Sequence, residues 1–262
     1  MQGYVRLSRQ VLRLGDVDAE RFLQDLVTND ITRTGDGAVY AALLSPQGKY
    51  LFDFFILRGE AGDGFLLDVA AERAAALAQR LSMYRLRAKV SIDQTDLQVV
   101  QLFGPVPDQG RAVPDPRDPE LGHRLYLPAG ADLSALGAEL PLSALDARRV
   151  ALGVPETGAE LVPDETYILE AGFERLGGVD FRKGCYVGQE VTARMKHKTE
   201  LRKGLVRVAV DGPAPAPGTL VERDGRPAGT LYTVAEGAGL AHLRFDRAEG
   251  EMVAGDARVT RL

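Results

Sequence analysis

Beyond Leu201 the chain carries no helical period. Its apolar residues come in short runs, Leu205–Val210, Thr219–Glu222, Gly229–Val234, Gly239–Phe245 and Arg258–Leu262, separated by turns such as Asp224-Gly225. Runs of this length and spacing read as antiparallel strands, and strands with no helix to cover their edges hide them by closing into a barrel. Residues 201–262 are therefore expected to form a small β-barrel, with the Pro-Ala-Pro-Ala-Pro stretch at 213–217 as a stiff loop within it.

Upstream, strand-like and helix-like patterns alternate. Asp18 is placed to cap a helix through about Val27, with Phe22, Leu23, Leu26 and Val27 on one face. Ala38–Leu44 and Tyr50–Leu57 flank the turn Ser45-Pro46-Gln47-Gly48 and read as a hairpin. Phe65–Val69, Lys89–Ile92 and Leu97–Phe103 read as strands, and the Ala-rich stretch Ala71–Leu81 as a helix. Five prolines between 105 and 119 deny backbone donors, so a long loop without regular structure is expected there. His123–Leu127 resumes a strand, Ser143 can cap a helix through Leu152, and the Gly-, Pro- and Glu-rich segment from Gly153 to Gly178 reads as an irregular wall. The mixture defines an α+β fold in three parts: 1–104, 105–200 and the barrel at 201–262.

With 262 residues, 45% of them apolar, the chain can bury a sizeable core. No run approaches a membrane span, and the first ten residues lack the apolar centre of a signal peptide, so a cytoplasmic protein is expected. The net charge of −5 argues against general nucleic-acid coating, which draws its affinity from surplus Lys and Arg. No P-loop, Gly-x-Gly-x-x-Gly, His-Glu-x-x-His or Gly-x-Ser-x-Gly is present, and His123, His197 and His242 are scattered.

The one cysteine, Cys185, lies in "FRKGCYVGQEVTARMKHK", residues 181–198. Alone it can form no internal disulfide and no complete four-thiolate metal site, so no stable metal is expected in the isolated chain. Residues 182–203 hold seven Lys or Arg against two acids, which makes this the most basic segment. Arg182, Lys183 and a helix beginning near Val187 are features that favour a thiolate, with Lys183 as its assisting cation. Gly184 and Gly188 suit a tight bend or the close approach of a ligand. Gln189 and Glu190 either bond a polar ligand or simply open a helix, and Arg194 either orients an anion or pairs with Glu190. The basic run 196–203 is either a solvated linker or a face for an acidic partner or RNA.

Lys183-Gly184-Cys185-Tyr186-Val187-Gly188-Gln189-Glu190, followed by Arg194, closely resembles the signature of the YgfZ family, folate-binding-like proteins related to the glycine-cleavage T protein (GcvT), an aminomethyltransferase. "DAERFLQDLVTNDI", "SPQGKYLFDFFIL", "YRLRAKVSI" and "RVALGVPETGAELVP" look like family segments in the family's order, so the resemblance spans essentially the whole chain. It implies a GcvT-like ring of α+β subdomains around a pocket for tetrahydrofolate or a derivative, closed by the barrel. The implied role is support of iron–sulfur cluster assembly or repair, chiefly of four-iron clusters, in client enzymes that include tRNA-modifying radical enzymes. The partners so implied are folate and iron–sulfur carrier or client proteins.

On that resemblance Cys185 is the essential residue, either bridging a cluster with thiolates from another molecule or acting by redox through a mixed disulfide. Glu156 and Arg149 line the pocket, and Gly184, Tyr186, Gly188, Gln189, Glu190 and Arg194 belong to the ligand-binding motif. The chain has no tryptophan for stacking a pterin, so either Tyr4, Tyr84 or an arginine plane serves instead or folate affinity is low. The alternatives are a tetrahydrofolate-dependent one-carbon transferase and, disfavoured by net charge, direct contact with transfer RNA.

Overall fold

The computed structural model describes residues 2–35, 37–198 and 200–262. In chain order the strands and helices are β1 (Gly3–Arg6), β2 (Arg9–Gly15), α1 (Ala19–Gln24), β3 (Ala38–Leu44), β4 (Tyr50–Arg58), β5 (Phe65–Ala70), α2 (Ala71–Arg85), β6 (Ser91–Gln94), β7 (Leu97–Phe103), β8 (Arg111–Pro114), β9 (His123–Pro128), α3 (Leu142–Leu152) and α4 (Gln189–Lys198). Six further strands follow: β10 (Lys203–Asp211), β11 (Thr219–Arg223), β12 (Arg226–Ala235), β13 (Ala238–Arg244), β14 (Glu251–Ala254) and β15 (Ala257–Arg261). They close into the expected barrel in the order β10-β13-β12-β11-β14-β15 around Val208, Leu231, Leu243 and Val259. Strand β14 was not foreseen, because its four residues alternate exposed and buried with Met252 as the one large apolar residue turned inward. Among the described residues no helix is long and apolar enough to cross a membrane.

The body is built on two antiparallel sheets, β3-β4-β5-β2-β6 and β1-β7-β9-β8. The five-stranded sheet is apolar on both faces, which explains why β4 is a continuous apolar run instead of an alternating one. Phe54, Ile56, Leu67 and Val69 pack on α1 and α2 through Leu23, Leu77 and Leu81. The opposite face, with Val11, Tyr40, Phe55 and Leu57, meets Val5, Val99 and Tyr126 of the second sheet. A register shift at Leu43/Leu44 leaves Leu51 as an extra residue on β4. The bulge turns Tyr50 onto the face of Asp53, and the Tyr50 hydroxyl donates to Asp53 at 2.7 Å.

Several local expectations are revised. Asp18 makes no side-chain cap to α1; its carboxylate accepts from the Lys89 amide at 2.7 Å, tying the start of α1 to the approach to β6. Helix α3 begins at Leu142 after Pro141, without a cap from Ser143. The proline-rich stretch contains β8, an edge strand that ends on Pro114, a place where the missing amide costs no ladder bond. The boundary drawn at 104 falls within one sheet, since β7 before it pairs with β9 after it.

The hairpin between β3 and β4 does more than reverse the chain. Gly48 (φ +75°) and Gly188 (φ +82°) meet there: a Cβ on Gly188 would lie 2.6 Å from the Ser45 carbonyl oxygen and 3.0 Å from the Gly48 Cα. The cysteine-bearing segment is thus seated on this turn by backbone-to-backbone contact. Gly188→Ala is expected to lower unfolding free energy by about 1–3 kcal/mol, from left-handed strain and the clash together, measured by urea titration with an unchanged slope.

Candidate functional site

Between the two sheets lies a lattice of buried ions. Asp68 of β5 accepts from Arg9 Nε of β2 at 2.6 Å, from Arg124 Nε and Nη2 of β9 at 2.9 and 2.6 Å, and from the Tyr126 hydroxyl at 2.9 Å. Asp115 grips Arg117 through two bonds at 3.0 and 2.9 Å and lies 3.6 Å from Arg124. The Arg124 guanidinium stacks 3.8 Å from the centre of the Phe55 ring, and those of Arg117 and Arg9 lie at 4.9 and 5.5 Å from the same ring. Burial pushes the Asp68 carboxyl up, but Arg124 and Arg9 outweigh it and hold it below the usual carboxylate range.

A cavity of about 300 Å³ opens above this lattice, with Leu7, Arg9, Arg117, Arg149, Glu156 and Thr157 among its walls. That volume is at the lower end of small-molecule sites. Glu156 is loosely held. Its oxygens lie 3.6 Å from Arg9 and 3.5 Å from Arg117, and the side chain keeps 32% of its surface open. Burial raises its pKa, yet Arg117, then Arg9 and Arg149, prevail, so Glu156 is an anion at neutral pH with acceptor capacity to spare.

Beside it, Asp53 is buried without a cationic partner within ion-pair range among the described residues. It accepts instead from the hydroxyls of Tyr40 at 2.9 Å, of Tyr50 and of Thr157.

Arg149 also lines the cavity, but its donors are engaged. They reach the Val154 carbonyl at 2.9 Å, Glu160 at 3.2 Å, Asp146 at 2.9 and 3.3 Å and Thr233 at 3.4 Å. Glu160 in turn accepts from the Glu156 amide at 2.9 Å and from the Thr233 amide and hydroxyl. Thr233 belongs to β12, so this node fastens the barrel to the cavity wall. Tyr84 is elsewhere: it lines a groove with Asp18, Phe22, Leu26 and Ala88, between α1 and the end of α2. Tyr4 donates to Glu139 at 3.1 Å and is likewise absent from the cavity lining.

The cysteine motif forms a second centre, and none of its residues lines the cavity. It is approached through a buried polar stitch: the Thr28 hydroxyl donates to the Gly178 carbonyl at 2.7 Å, Asn29 donates to Gly177 at 2.6 Å, and the Asp180 amide donates to the Thr28 carbonyl at 3.0 Å. Lys183 and Tyr186 are buried, while Gly184 and Cys185 between them are exposed. The thiol therefore sits on a short arch between two sunken side chains. Helix α4 begins only at Gln189, four residues past the sulfur. Glu190 and Arg194 are exposed and form no ion pair with each other among the described residues. Lys196 pairs with Glu174, and Lys203 lies 3.5 Å from Glu170; the side chain of Lys198 lies outside the described residues.

Lys183, read from sequence as assisting the thiol, turns its ammonium inward. Nζ donates to the Gln24 carbonyl at 2.6 Å and to the Val27 carbonyl, at the end of α1, with the Tyr186 ring 5.4 Å away. Burial pulls its pKa down to about 8, with Asp30, Asp25 and Asp180 opposing. Among the described residues no group of three His, Cys, Asp or Glu side chains is placed to hold a metal.

This architecture has the fold of an aminomethyltransferase T protein. The glycine-cleavage aminomethyltransferase T of Bartonella henselae superposes with a TM-score of 0.81 over 99% of this chain and 84% of that one, at 17% identity, which shows a shared fold. Residues 202–261 match the family model of the CAF17 C-terminal β-barrel domain.

The mouse protein named iron-sulfur cluster assembly factor IBA57, mitochondrial, is 33% identical, the match covering 93% of this chain and 78% of that protein. The chain belongs to the IBA57 family. The Neurospora crassa homolog is 33% identical over 81% of this chain but 56% of its own length, and the Pyricularia oryzae homolog 34% over 76% and 55%. The chain thus spans little more than half of these fungal relatives. All three are named as mitochondrial, which overturns the expectation of a cytoplasmic protein.

The buried lysine has a measurable signature. Below pH 8 it is protonated in both folded and unfolded chains and its burial is a full cost. Between about 8 and 10.5 only the unfolded chain holds the proton, so stability rises with pH. Relative to Lys183→Met, the native protein should gain up to about 3 kcal/mol across that window; tyrosines titrate there in both proteins and cancel in the difference.

Proposed function

We propose that this chain supports the assembly or repair of iron–sulfur clusters in client proteins through Cys185, while a reduced folate occupies the cavity at Glu156. The carrying observation is the exposed thiol held between the buried anchors Lys183 and Tyr186. The names of the mouse and fungal relatives support the role, and the likeness of residues 183–190 to the YgfZ signature supports clients with four-iron clusters, tRNA-modifying radical enzymes among them. The cluster is cargo. One thiolate supplies one ligand, so the remaining ligands come from a carrier protein, a client or a small thiol.

The cavity fits a pterin-type ring. Glu156 offers an ionised acceptor for ring N–H donors, Leu7 and Leu145 offer apolar contact, and arginines replace the missing tryptophan as flat cationic surfaces. When bound, a reduced folate supplies a carrier for one-carbon units. The residues of this chain bind and orient it and exclude water.

A one-carbon transferase reading draws on the fold shared with an aminomethyltransferase. Against it stands Asp53, a buried acid behind the cavity wall, whose oxygens already accept three hydroxyl donors and which is closed off behind Tyr50 and Thr157. The accessory role is therefore preferred, and steady-state turnover of a methylene donor by purified protein would reverse that preference.

Two substitutions separate the centres. Cys185→Ser should leave stability within about 0.5 kcal/mol and folate binding intact, while the activity of four-iron client enzymes in cells drops to that of cells lacking the protein. Glu156→Ala should weaken reduced-folate binding, read by calorimetry, by about tenfold or more and leave Cys185 alkylation unchanged. Full client activity with Ser at 185 would refute the thiol's role.

A further inference from the structure

The motif contains two glycines that the fold treats differently. Gly188 is required by its backbone and by contact with the hairpin turn. Gly184 is not: its backbone lies outside the left-handed region, and a Cβ built there meets no atom within 4 Å beyond its chain neighbours Lys183 and Cys185. Nothing in the folding of this chain calls for glycine next to the sulfur. The same two exposed residues, 184 and 185, are pinned on both sides by Lys183 and Tyr186, so the arch is not free to swing a bulky neighbour aside. Arg182 and Arg194 are exposed cations of this motif with no carboxylate in ion-pair range among the described residues.

We infer that Gly184 is a specificity-determining residue: its missing side chain keeps the approach to Cys185 open for a bulky anionic group, an iron–sulfur cluster already dressed in thiolates, rather than for a small electrophile or thiol alone. The inference rests on the reading of Cys185 as a cluster ligand and adds the state in which the cargo arrives. The step is a ligand exchange. The Cys185 Sγ–H bond breaks and an Sγ–Fe bond forms; one external Fe–S(thiolate) bond breaks, and the proton leaves on the released thiol. No electron changes hands. Arg182 and Arg194 lie on the motif where they favour the approach of a negative cluster. A side chain at 184 would act as steric exclusion against a large object while leaving a small one unaffected.

The test uses the full chain and a synthetic four-iron cluster carrying four 2-mercaptoethanolate ligands, under anaerobic conditions, with cluster uptake read as visible absorbance that co-elutes with protein. Cys185→Ser sets the background. Gly184→Val should bind the cluster at least about tenfold less well than the native protein, with Gly184→Ala between them. Both variants should melt like the native protein, and iodoacetamide should alkylate Cys185 in all three at rates within about twofold. Native-like cluster uptake by Gly184→Val overturns the inference and leaves the role of Cys185 standing. Alkylation that falls as steeply as cluster uptake also overturns it, because the effect would then lie on the thiol itself. Native uptake no greater than that of Cys185→Ser overturns the inference together with the thiol-ligand reading.

Discussion

The contact between Asp68 and its two arginines holds the rest in place. It is a carboxylate with no exposed surface, accepting from Arg9 on its own sheet and from Arg124 on the other. Taking such charges out of water is costly, and the cost is offset only when every lone pair and donor is matched, as it is here with Tyr126 and Gln101 completing the set. Removing one member would strand the others, a loss on the order of 3–5 kcal/mol for a pair of this kind. Since the lattice joins the two sheets, their spacing and the floor of the cavity are set by the same bonds.

Two consequences divide the molecule functionally. Within the cavity, Arg9 and Arg117 are committed to Asp68 and Asp115 first and reach Glu156 only at longer range, which leaves that carboxylate charged, oriented and incompletely used. At the motif, by contrast, no hydrogen bond reaches the thiol among the described residues. The lysine beside it serves the end of α1, so Lys183 acts on Cys185 through position and not through charge on the sulfur. The cavity and the cysteine motif are built separately.

Much of this was legible in the sequence, for physical reasons that differ by element. The barrel and the hairpin were visible because period-two patterns bounded by turn residues have few other solutions. Cys185 was singled out as the one cysteine, set in the most basic segment, and Glu156 by resemblance to a family segment. The lattice was missed, although a trace was present: Asp68 in "FLLDVA", Arg124 in "HRLYL" and Asp53 in "FDFF" are charged residues set inside apolar runs. Such a residue inside a buried strand must find a partner across the core, but one chain read alone does not say which. Tyr84 was misplaced because α2 runs on to Arg85, beyond the Ala-rich period that suggested it, and carries the ring to a different face. Strand β8 was hidden by prolines that sit at a sheet edge, where they do no harm.

The seat of Gly188 on the β3–β4 turn has an implication for recognition. Because that turn joins two strands buried over nearly their whole length, the segment that carries Cys185 is preorganised before any partner arrives. Encounter then requires little further loss of conformational freedom on this side, and the binding free energy of the complex is left almost undiminished for the contacts themselves.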